Sequence, residues 1–246
     1  MAEKINSKWY SPRVRQEVQV VRWGHHGVPV LLFPTAGGDA EECERFLMLK
    51  VLAPLLDAGR IKVFACDSVG GRTMIDSSLS GQHKAWMQKQ FLGFIRQELV
   101  PAIRQDCRDP EIGVIAAGAS IGAYNSLLAI TSHPDVFTHA ICMSGTYILD
   151  RFLHGFHNQD AHFISPVLYL PHLHEGDHLN QLRKRSIVLA TGEGKWEAPA
   201  ESWRMANLLG QKGIPNRVDL WGQDYHHDWM TWRDMLPKYL GELTAS

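Results

Sequence analysis

The 246-residue sequence predicts an α/β fold with a mainly parallel central sheet and helices on both of its faces. Short β-branched runs alternate with helical patterns of ten or more residues, as they do in successive βαβ crossovers. No internal repeat or Pro/Gly-rich linker divides the chain, and α/β domains commonly reach this length. We therefore expect one domain over residues 1–246.

Seven segments are predicted as strands because each is a short apolar run bounded by turn residues. They are residues 18–22, 28–33, 61–66, 112–117, 137–143, 186–190 and 217–221. The longer segments are predicted as helices because their apolar residues recur every three or four positions. They are residues 41–58 and 83–105, a segment ending near residue 132, residues 200–211, and a last helix that follows Asp228.

Residues 147–182 interrupt this alternation. They are rich in His, Pro, Asn and Asp and separate the predicted strands 137–143 and 186–190. We interpret them as an excursion of the chain over one end of the sheet. The three phenylalanine side chains of the excursion either line a pocket there or pack it onto the sheet. They are Phe152, Phe156 and Phe163.

Composition and charge narrow the range of partners. A net charge of −1 gives no indication of a nucleic-acid or acidic membrane partner. No apolar run approaches the ~18 residues of a membrane span, and the N-terminus has no apolar signal region. The 4 cysteines show no C-x-x-C spacing. We expect a cytoplasmic protein that binds a small molecule, and nothing in the sequence indicates its oligomeric state.

The chemistry is indicated most directly by the pentapeptide 118–122, which reads Gly-Ala-Ser-Ile-Gly. It follows a predicted strand and opens a predicted helix, which is the setting of a G-x-S-x-G nucleophile elbow. In such an elbow a tight turn holds the serine hydroxyl clear of the sheet, and small residues two positions before and after relieve the crowding. The pattern predicts that Ser120 is a nucleophile. The alternative is an ordinary strand-to-helix turn with a serine in it.

A serine hydroxyl is a weak nucleophile and needs a base, commonly a histidine oriented by a carboxylate. In chains with this elbow the order is serine, acid, histidine, with each partner in a loop after a later strand. Here residues 191–197 follow one predicted strand and hold two glutamates, and residues 222–228 follow the last one and hold His226 and His227. Both required loops therefore contain the required side chains.

An oxyanion hole for this nucleophile needs two backbone N–H groups. The residue after the serine supplies one, and the loop after an early strand supplies the other. We assign the first to Ile121 and the second to Ala36, with Gly37 as the alternative. The loop around Ala36 could also serve only as a connection in which Asp39 caps a helix.

Taken together, these segments resemble the Putative esterase (esterase D-like) family of the α/β-hydrolase superfamily. That family includes S-formylglutathione hydrolases, feruloyl esterases and mycolyltransferases. The similar segments are residues 8–12, 33–38, 98–101, 118–122, 133–137 and 227–229. The resemblance implies an α/β-hydrolase fold and a serine hydrolase that cleaves carboxylic esters or thioesters without a cofactor. It also implies that the histidine of the His-Asp-Trp sequence, His227, is the base.

The acid is the point at which the sequence departs from the family. Many members have an Asp about three residues after the glycine that ends the strand, where this chain has Lys195. We assign the acid to Glu197, which lies in the middle of the loop, with Glu193 as the alternative. Asp224 is a weaker candidate from the histidine's own loop.

The two adjacent histidines near the end of the chain, His226 and His227, are predicted to have different roles. Asp228 suits the N-cap of the last helix, so it is a poor triad acid despite its position next to His227. His227 stands directly before this cap, where a rigid element fixes its backbone. His226 lies further into the loop and is expected to point elsewhere. We expect His227→Ala to abolish turnover and His226→Ala to retain most of it.

Three other functions remain open from the sequence. An acyltransferase would use the same triad with an alcohol in place of water. A catalytically silent α/β-hydrolase fold would serve only for binding, and the unusual acid loop is what favours it. A metal-dependent enzyme could use the histidines of residues 154–178, among 13 in the chain, but no recognised zinc spacing occurs there and we expect no metal.

Overall fold

The computed structural model describes residues 3–245, which form an eight-stranded sheet flanked by helices. The strands are β1 (Lys4–Ser11), β2 (Gln16–Trp23), β3 (Val28–Phe33), β4 (Ile61–Cys66), β5 (Val114–Ala119), β6 (Phe137–Met143), β7 (Ser186–Thr191) and β8 (Asn216–Leu220). They lie in the order β1-β2-β4-β3-β5-β6-β7-β8. The β1–β2 and β2–β4 pairs are antiparallel, and every pair from β4 to β8 is parallel. The predicted fold class, an α/β-hydrolase fold with a mainly parallel sheet, is confirmed.

Twelve α-helices are present in the part of the chain that the structure describes. They are α1 (Glu42–Arg45), α2 (Met48–Asp57), α3 (Val69–Ile75), α4 (Gly81–Phe94), α5 (Val100–Cys107), α6 (Ile121–Ser132), α7 (Asp150–Leu153), α8 (Gln159–Phe163), α9 (Pro166–Tyr169), α10 (Asp177–Leu182), α11 (Pro199–Gln211) and α12 (Trp229–Leu243). A π-helical turn at Ile95–Leu99 joins α4 to α5, and a 3₁₀ turn at Leu170–His172 follows α9. No helix among residues 3–245 is long and apolar enough to cross a membrane.

Helices cover both faces of the sheet, as predicted. Alternate residues of β5 divide between two buried apolar clusters, with Ala116 in one and Ile115 and Ala117 in the other. The face that contains Ala116 is covered by α4, α6 and α11. The face that contains Ile115 and Ala117 is covered by α2 and α12. Each large apolar side chain buried in this way contributes roughly 1.5–3 kcal/mol to stability.

Two elements differ from those predicted. Residues 41–58 do not form one helix, because Leu47 adopts a left-handed conformation (φ 62°) and separates α1 from α2. The strand β1 was not predicted, because its sequence alternates exposed polar residues with few apolar ones. It lies at the sheet edge, where only one neighbour and one covered face are available, so a polar strand is tolerated there.

Residues 147–182, which we call the excursion, connect β6 to β7 and contain α7 to α10. The carboxylate of Glu201 on α11 accepts hydrogen bonds from the backbone N–H groups of Tyr147 (2.6 Å) and Ile148 (3.1 Å). The Lys84 ammonium donates to the carbonyl of Phe152 at 3.0 Å. These contacts hold the first part of the excursion against α4 and α11.

The carboxyl ends of the parallel strands β3 to β8 meet at one edge of the sheet. Ligand sites of open α/β sheets lie outside this edge, because the loops that leave neighbouring strands converge there. The loops after β3, β5, β7 and β8 carry the residues predicted to act in catalysis. The parallel topology therefore brings together side chains that are far apart in the sequence.

Candidate active site

Ser120 occupies a strained turn between β5 and α6. Its backbone has φ 58° and ψ −119°, a combination that L-residues rarely adopt and that costs of order 1–3 kcal/mol. The turn is held because the Ser120 N–H donates to Met143 (2.9 Å) and its carbonyl accepts from Ala123 (3.1 Å). The side chain is half-buried. This is the geometry of the predicted nucleophile elbow.

The two elbow glycines are required by close backbone contacts. A Cβ on Gly118 would lie 2.5 Å from the carbonyl carbon and oxygen of Gly122. A Cβ on Gly122 would lie 2.5 Å from the carbonyl oxygen of Phe33 and 2.8 Å from that of Pro34. Real Cβ atoms do not approach backbone this closely, so any larger residue would push β5, α6 and the loop after β3 apart.

Glu197 lies in the loop after β7, and its side chain is 1% exposed. One carboxylate oxygen, Oε1, accepts a hydrogen bond from the Ser144 hydroxyl at 2.5 Å. The other, Oε2, accepts from the Thr191 hydroxyl at 3.0 Å. The indole Nε1–H of Trp232 in turn donates to the Ser144 oxygen at 2.9 Å. This network fixes the orientation of a carboxylate that is nearly out of water.

His227 faces this carboxylate. Its Nδ1 lies 4.0 Å from Oε2 of Glu197, and its ring packs edge-on against Trp232 at a centroid distance of 5.3 Å. Burial lowers the pKa of His227 below its ordinary value, the negative charge of Glu197 opposes that shift, and the positive charge of Arg151 adds to it. The imidazole is thus kept neutral and able to accept a proton.

The hydrogen bond expected between the predicted acid and base is not formed in the structure. The Glu197–His227 separation of 4.0 Å exceeds a hydrogen bond by about 1 Å. Such contacts often tighten only when substrate is bound.

The two alternative acids lie elsewhere. Glu193 is exposed, and its backbone N–H donates to the carbonyl of Gly222 at 2.9 Å. Asp224 is also exposed. Within the described chain, Glu197 is the one carboxylate that approaches His227 as an ion pair.

His226 makes a structural contact that the sequence did not reveal. Its Nδ1 accepts a hydrogen bond from the backbone N–H of Lys195 at 3.1 Å. The carbonyl of Lys195 in turn accepts from the backbone N–H of His227 at 3.1 Å, and the N–H of Gly194 donates to the carbonyl of Tyr225 at 3.0 Å. These bonds join the acid loop to the histidine loop.

Asp228 forms the N-cap of α12, as predicted. Its carboxylate accepts a hydrogen bond from the backbone N–H of Thr231 at 3.1 Å. This cap fixes the backbone that carries His227.

The predicted oxyanion donors lie on neighbouring elements. A Cβ on Gly71 would be 3.0 Å from both the carbonyl oxygen of Ala36 and the Cγ2 atom of Ile121, which shows how closely the two residues converge. Ile121 is the first residue of α6, so its N–H has no partner within the helix. The N–H of Thr35, by contrast, donates to the Glu42 carboxylate at 2.7 Å. This leaves Ala36 and Gly37 as the candidates for the second donor.

Glu42 organises the loop after β3, which carries Ala36, and was not identified from the sequence. It is 6% exposed, and besides the Thr35 N–H it accepts the Thr35 hydroxyl at 2.5 Å. Burial raises its pKa, and the hydrogen bonds from Thr35 oppose that shift. Asp67, which follows β4, also holds this loop, because its carboxylate accepts a hydrogen bond from the backbone N–H of Ala40 at 3.3 Å. An acidic residue seven positions after Thr35 offered no recognisable sequence signal.

The histidines of the excursion do not converge on a common point. His162 and His172 lie with ring centroids 6.2 Å apart, and His178 contacts the carbonyl of Thr131 at 2.8 Å. Among residues 3–245, no group of three or more His, Cys, Asp or Glu side chains could hold a metal ion. Of the three phenylalanines of the excursion, Phe152 and Phe156 pack against the core, whereas Phe163 is 52% exposed.

Comparison with solved structures gives the same fold. A ferulic acid esterase superposes with a TM-score of 0.76 at 16% identity, covering 99% of this chain and 98% of that one. An S-formylglutathione hydrolase from Agrobacterium tumefaciens gives 0.74 at 11% identity, with 99% and 95% covered. MPT51 (FbpC1) of Mycobacterium tuberculosis gives 0.70 at 17% identity, with 99% and 98% covered. Identities this low establish a shared fold alone.

The sheet order, the strained elbow and the loops at the strand ends thus define a protein of the α/β-hydrolase class. The sequence profile of the family described as Putative esterase matches residues 70–243, and the chain belongs to that family. This confirms the resemblance noted from the sequence. No curated protein sequence matches the chain.

Proposed function

We propose that the protein is a serine hydrolase that cleaves a carboxylic ester or thioester, with Ser120, His227 and Glu197 as its triad. The observation that carries the proposal is the buried Glu197 carboxylate, which Ser144 and Thr191 hold beside His227. A buried carboxylate next to a histidine is costly unless the pair has a use, and perturbed groups of this kind cluster at functional sites. The family and the shared fold support the same activity.

The first half of the proposed reaction forms an acyl-enzyme. His227 takes the proton of the Ser120 hydroxyl as its oxygen attacks the carbonyl carbon of the ester. The negative charge that develops on the carbonyl oxygen is stabilised by the N–H groups of Ile121 and Ala36. The charged imidazolium is stabilised by Glu197, and it then protonates the departing alcohol or thiol as the ester bond breaks.

The second half regenerates the enzyme. His227 removes a proton from water, whose oxygen attacks the acyl carbon, and the same two N–H groups hold the second oxyanion. Collapse of this intermediate breaks the bond to Ser120, which recovers its proton from His227 while the carboxylic acid leaves. Every proton in this cycle is carried by His227 or water, and the substrate is a small-molecule ester.

A panel of 4-nitrophenyl esters of increasing acyl length tests the activity. We expect hydrolysis by the unaltered protein and a loss of at least about 10⁴-fold in kcat for Ser120→Ala and for His227→Ala. Glu197→Gln keeps the shape of the acid but not its charge, so we expect a loss of similar order. Turnover that survives in Ser120→Ala would contradict the assignment of the nucleophile.

The acyl acceptor is tested separately. Adding a primary alcohol to the assay and analysing the products distinguishes free acid, expected for a hydrolase, from a new ester, expected for an acyltransferase. A folded protein that turns over no ester of the panel would contradict the enzyme assignment altogether.

A further inference from the structure

Arg151 is connected to Ser120 through Thr146, although no motif indicates a role for it. It is the second residue of α7, at the start of the excursion. The backbone N–H of Thr146 donates to the carbonyl of Ser120 at 3.4 Å. The hydroxyl of Thr146 accepts a hydrogen bond from Nη2 of Arg151, also at 3.4 Å. Two successive contacts therefore connect the Arg151 guanidinium to Ser120.

The guanidinium of Arg151 lacks an acidic partner. Among residues 3–245 it forms no ion pair, whereas Arg72 pairs with Asp67 and Arg96 pairs with Asp135. The buried Glu197 carboxylate is held by Ser144 and Thr191. Arg151 thus presents a positive charge at the catalytic edge without a neutralising carboxylate.

The guanidinium of Arg151 packs on an aromatic ring and stays accessible. Its guanidinium lies 4.8 Å from the ring centroid of Phe152, which packs against the core. Stacking on an aromatic ring restricts the motion of the guanidinium and leaves its N–H donors free at the rim. The residue as a whole is exposed, so a ligand can reach it. Its charge is also close enough to act on the pKa of His227.

We propose that Arg151 is a specificity-determining residue that binds a carboxylate carried by the substrate, so that the enzyme prefers anionic esters to neutral ones. This inference rests on the proposed function and adds to it the chemical class of the substrate. A guanidinium binds a carboxylate through two parallel hydrogen bonds, which gives both attraction and orientation. The carboxylate could belong to the acyl part or to the alcohol part of the ester.

Two pairs of matched esters distinguish these cases. For the acyl part, monomethyl adipate is compared with the methyl ester of the adipic acid half-amide by a pH-stat assay. For the alcohol part, 4-acetoxybenzoate is compared with 4-acetoxybenzamide by release of the phenol. Each pair differs in one charge at nearly constant size. We expect kcat/KM for the anionic member to exceed that of its neutral partner about tenfold or more in one pair, the effect of one charge-assisted hydrogen-bonded contact.

Variants test whether Arg151 causes the preference. Arg151→Gln should bring the ratio of anionic to neutral kcat/KM close to one, and Arg151→Lys should retain part of it because a point charge remains. Arg204→Gln, which removes the same charge from an exposed position on α11, should keep the ratio of the unaltered protein. The preference should also weaken as ionic strength rises.

The outcomes separate this inference from the proposed function. Hydrolysis of the neutral esters without any anionic preference would overturn the role of Arg151 and leave the esterase assignment intact. Equal loss of activity toward both members of a pair in Arg151→Gln would show a merely structural role and would also overturn it. No turnover of any of the four esters would contradict the proposed function, and the inference with it.

Discussion

Replacing Ser144 with alanine tests how the structure holds the triad acid. Ser144 lies at the end of β6, is 3% exposed and has a left-handed backbone (φ 48°). Its hydroxyl donates to Oε1 of Glu197 at 2.5 Å and accepts from Nε1 of Trp232 at 2.9 Å. Removing the hydroxyl breaks both bonds, leaves the indole N–H without its partner and frees one oxygen of the carboxylate to turn away from His227.

The expected size of the effect follows from these contacts. A hydrogen bond to a charged group contributes about 1.5–3 kcal/mol, so kcat/KM should fall roughly 10- to 150-fold if all of it serves to orient Glu197. The loss should be smaller than the ~10⁴-fold expected when the acid itself is removed, because Thr191 still holds the other oxygen. The free energy of unfolding should fall by about 1–3 kcal/mol, since the buried indole N–H loses its acceptor.

The matched control is Ser144→Gly. Glycine also lacks the hydroxyl but adopts a positive φ without strain, which is worth of order 1–2 kcal/mol. We expect urea unfolding to show the glycine variant as more stable than the alanine variant, with kcat/KM equally low in both. The reasoning would be refuted by an alanine variant within twofold of the unaltered kcat/KM, or by recovery of activity in the glycine variant.

Four further predictions concern the pKa of the base, the two histidines and the packing of the elbow. Burial lowers the pKa of His227, so the base stays neutral to a lower pH than an exposed histidine, and the acid limb of the kcat/KM profile should lie correspondingly low. Arg151→Gln should move this limb to higher pH, because a positive charge that disfavours the imidazolium is gone. His227→Ala should lower kcat at least about 10⁴-fold. His226→Ala should cost up to about tenfold, more than the sequence alone indicated, because it loses the hydrogen bond from the Lys195 N–H. His226→Asn should recover most of this loss, because its Oδ1 can accept the same N–H. Gly118→Ala should lower the free energy of unfolding by about 3 kcal/mol in a urea titration, because the added Cβ would meet the Gly122 backbone. The control is Gly241→Ala, where a Cβ meets nothing within 4 Å, and it should raise the free energy of unfolding by up to about 1 kcal/mol.

Each of these has an outcome that would count against it. An acid limb at or above that of an exposed histidine would mean that His227 is not desolvated. A His226→Asn variant no better than His226→Ala would show that the hydrogen bond to Lys195 is unimportant. Equal stability of Gly118→Ala and Gly241→Ala would show that the close approach of β5 and α6 has been overestimated.

The sequence predicted the sheet and the elbow because their signals are local. A short apolar run, a following G-x-S-x-G and an amphipathic segment are each readable within about 15 residues. Strand β1 and the break at Leu47 were missed for the opposite reason. The strand is stabilised by its pairing with β2 rather than by its own apolar content, and nothing in the residues around Leu47 requires a left-handed conformation.

The supporting residues of the site could not be predicted in the same way. Ser144 and Glu197 are 53 positions apart and meet only because β6 and β7 are neighbours in a parallel sheet. Likewise, His226 contacts Lys195 across two loops that the sequence places 31 residues apart. Contacts of this kind depend on the register of the strands, and register is a property of the folded sheet rather than of either segment alone.

The most direct test of the account is covalent labelling of Ser120 with a fluorophosphonate probe. The probe phosphonylates only a serine whose hydroxyl is activated by a working base. We predict one adduct per molecule of folded protein, located on the peptide that contains Ser120 by mass spectrometry, and none in Ser120→Ala or after unfolding in urea. A folded protein that takes up no probe, or that carries the adduct on another residue, would contradict the assignment of Ser120 as the nucleophile.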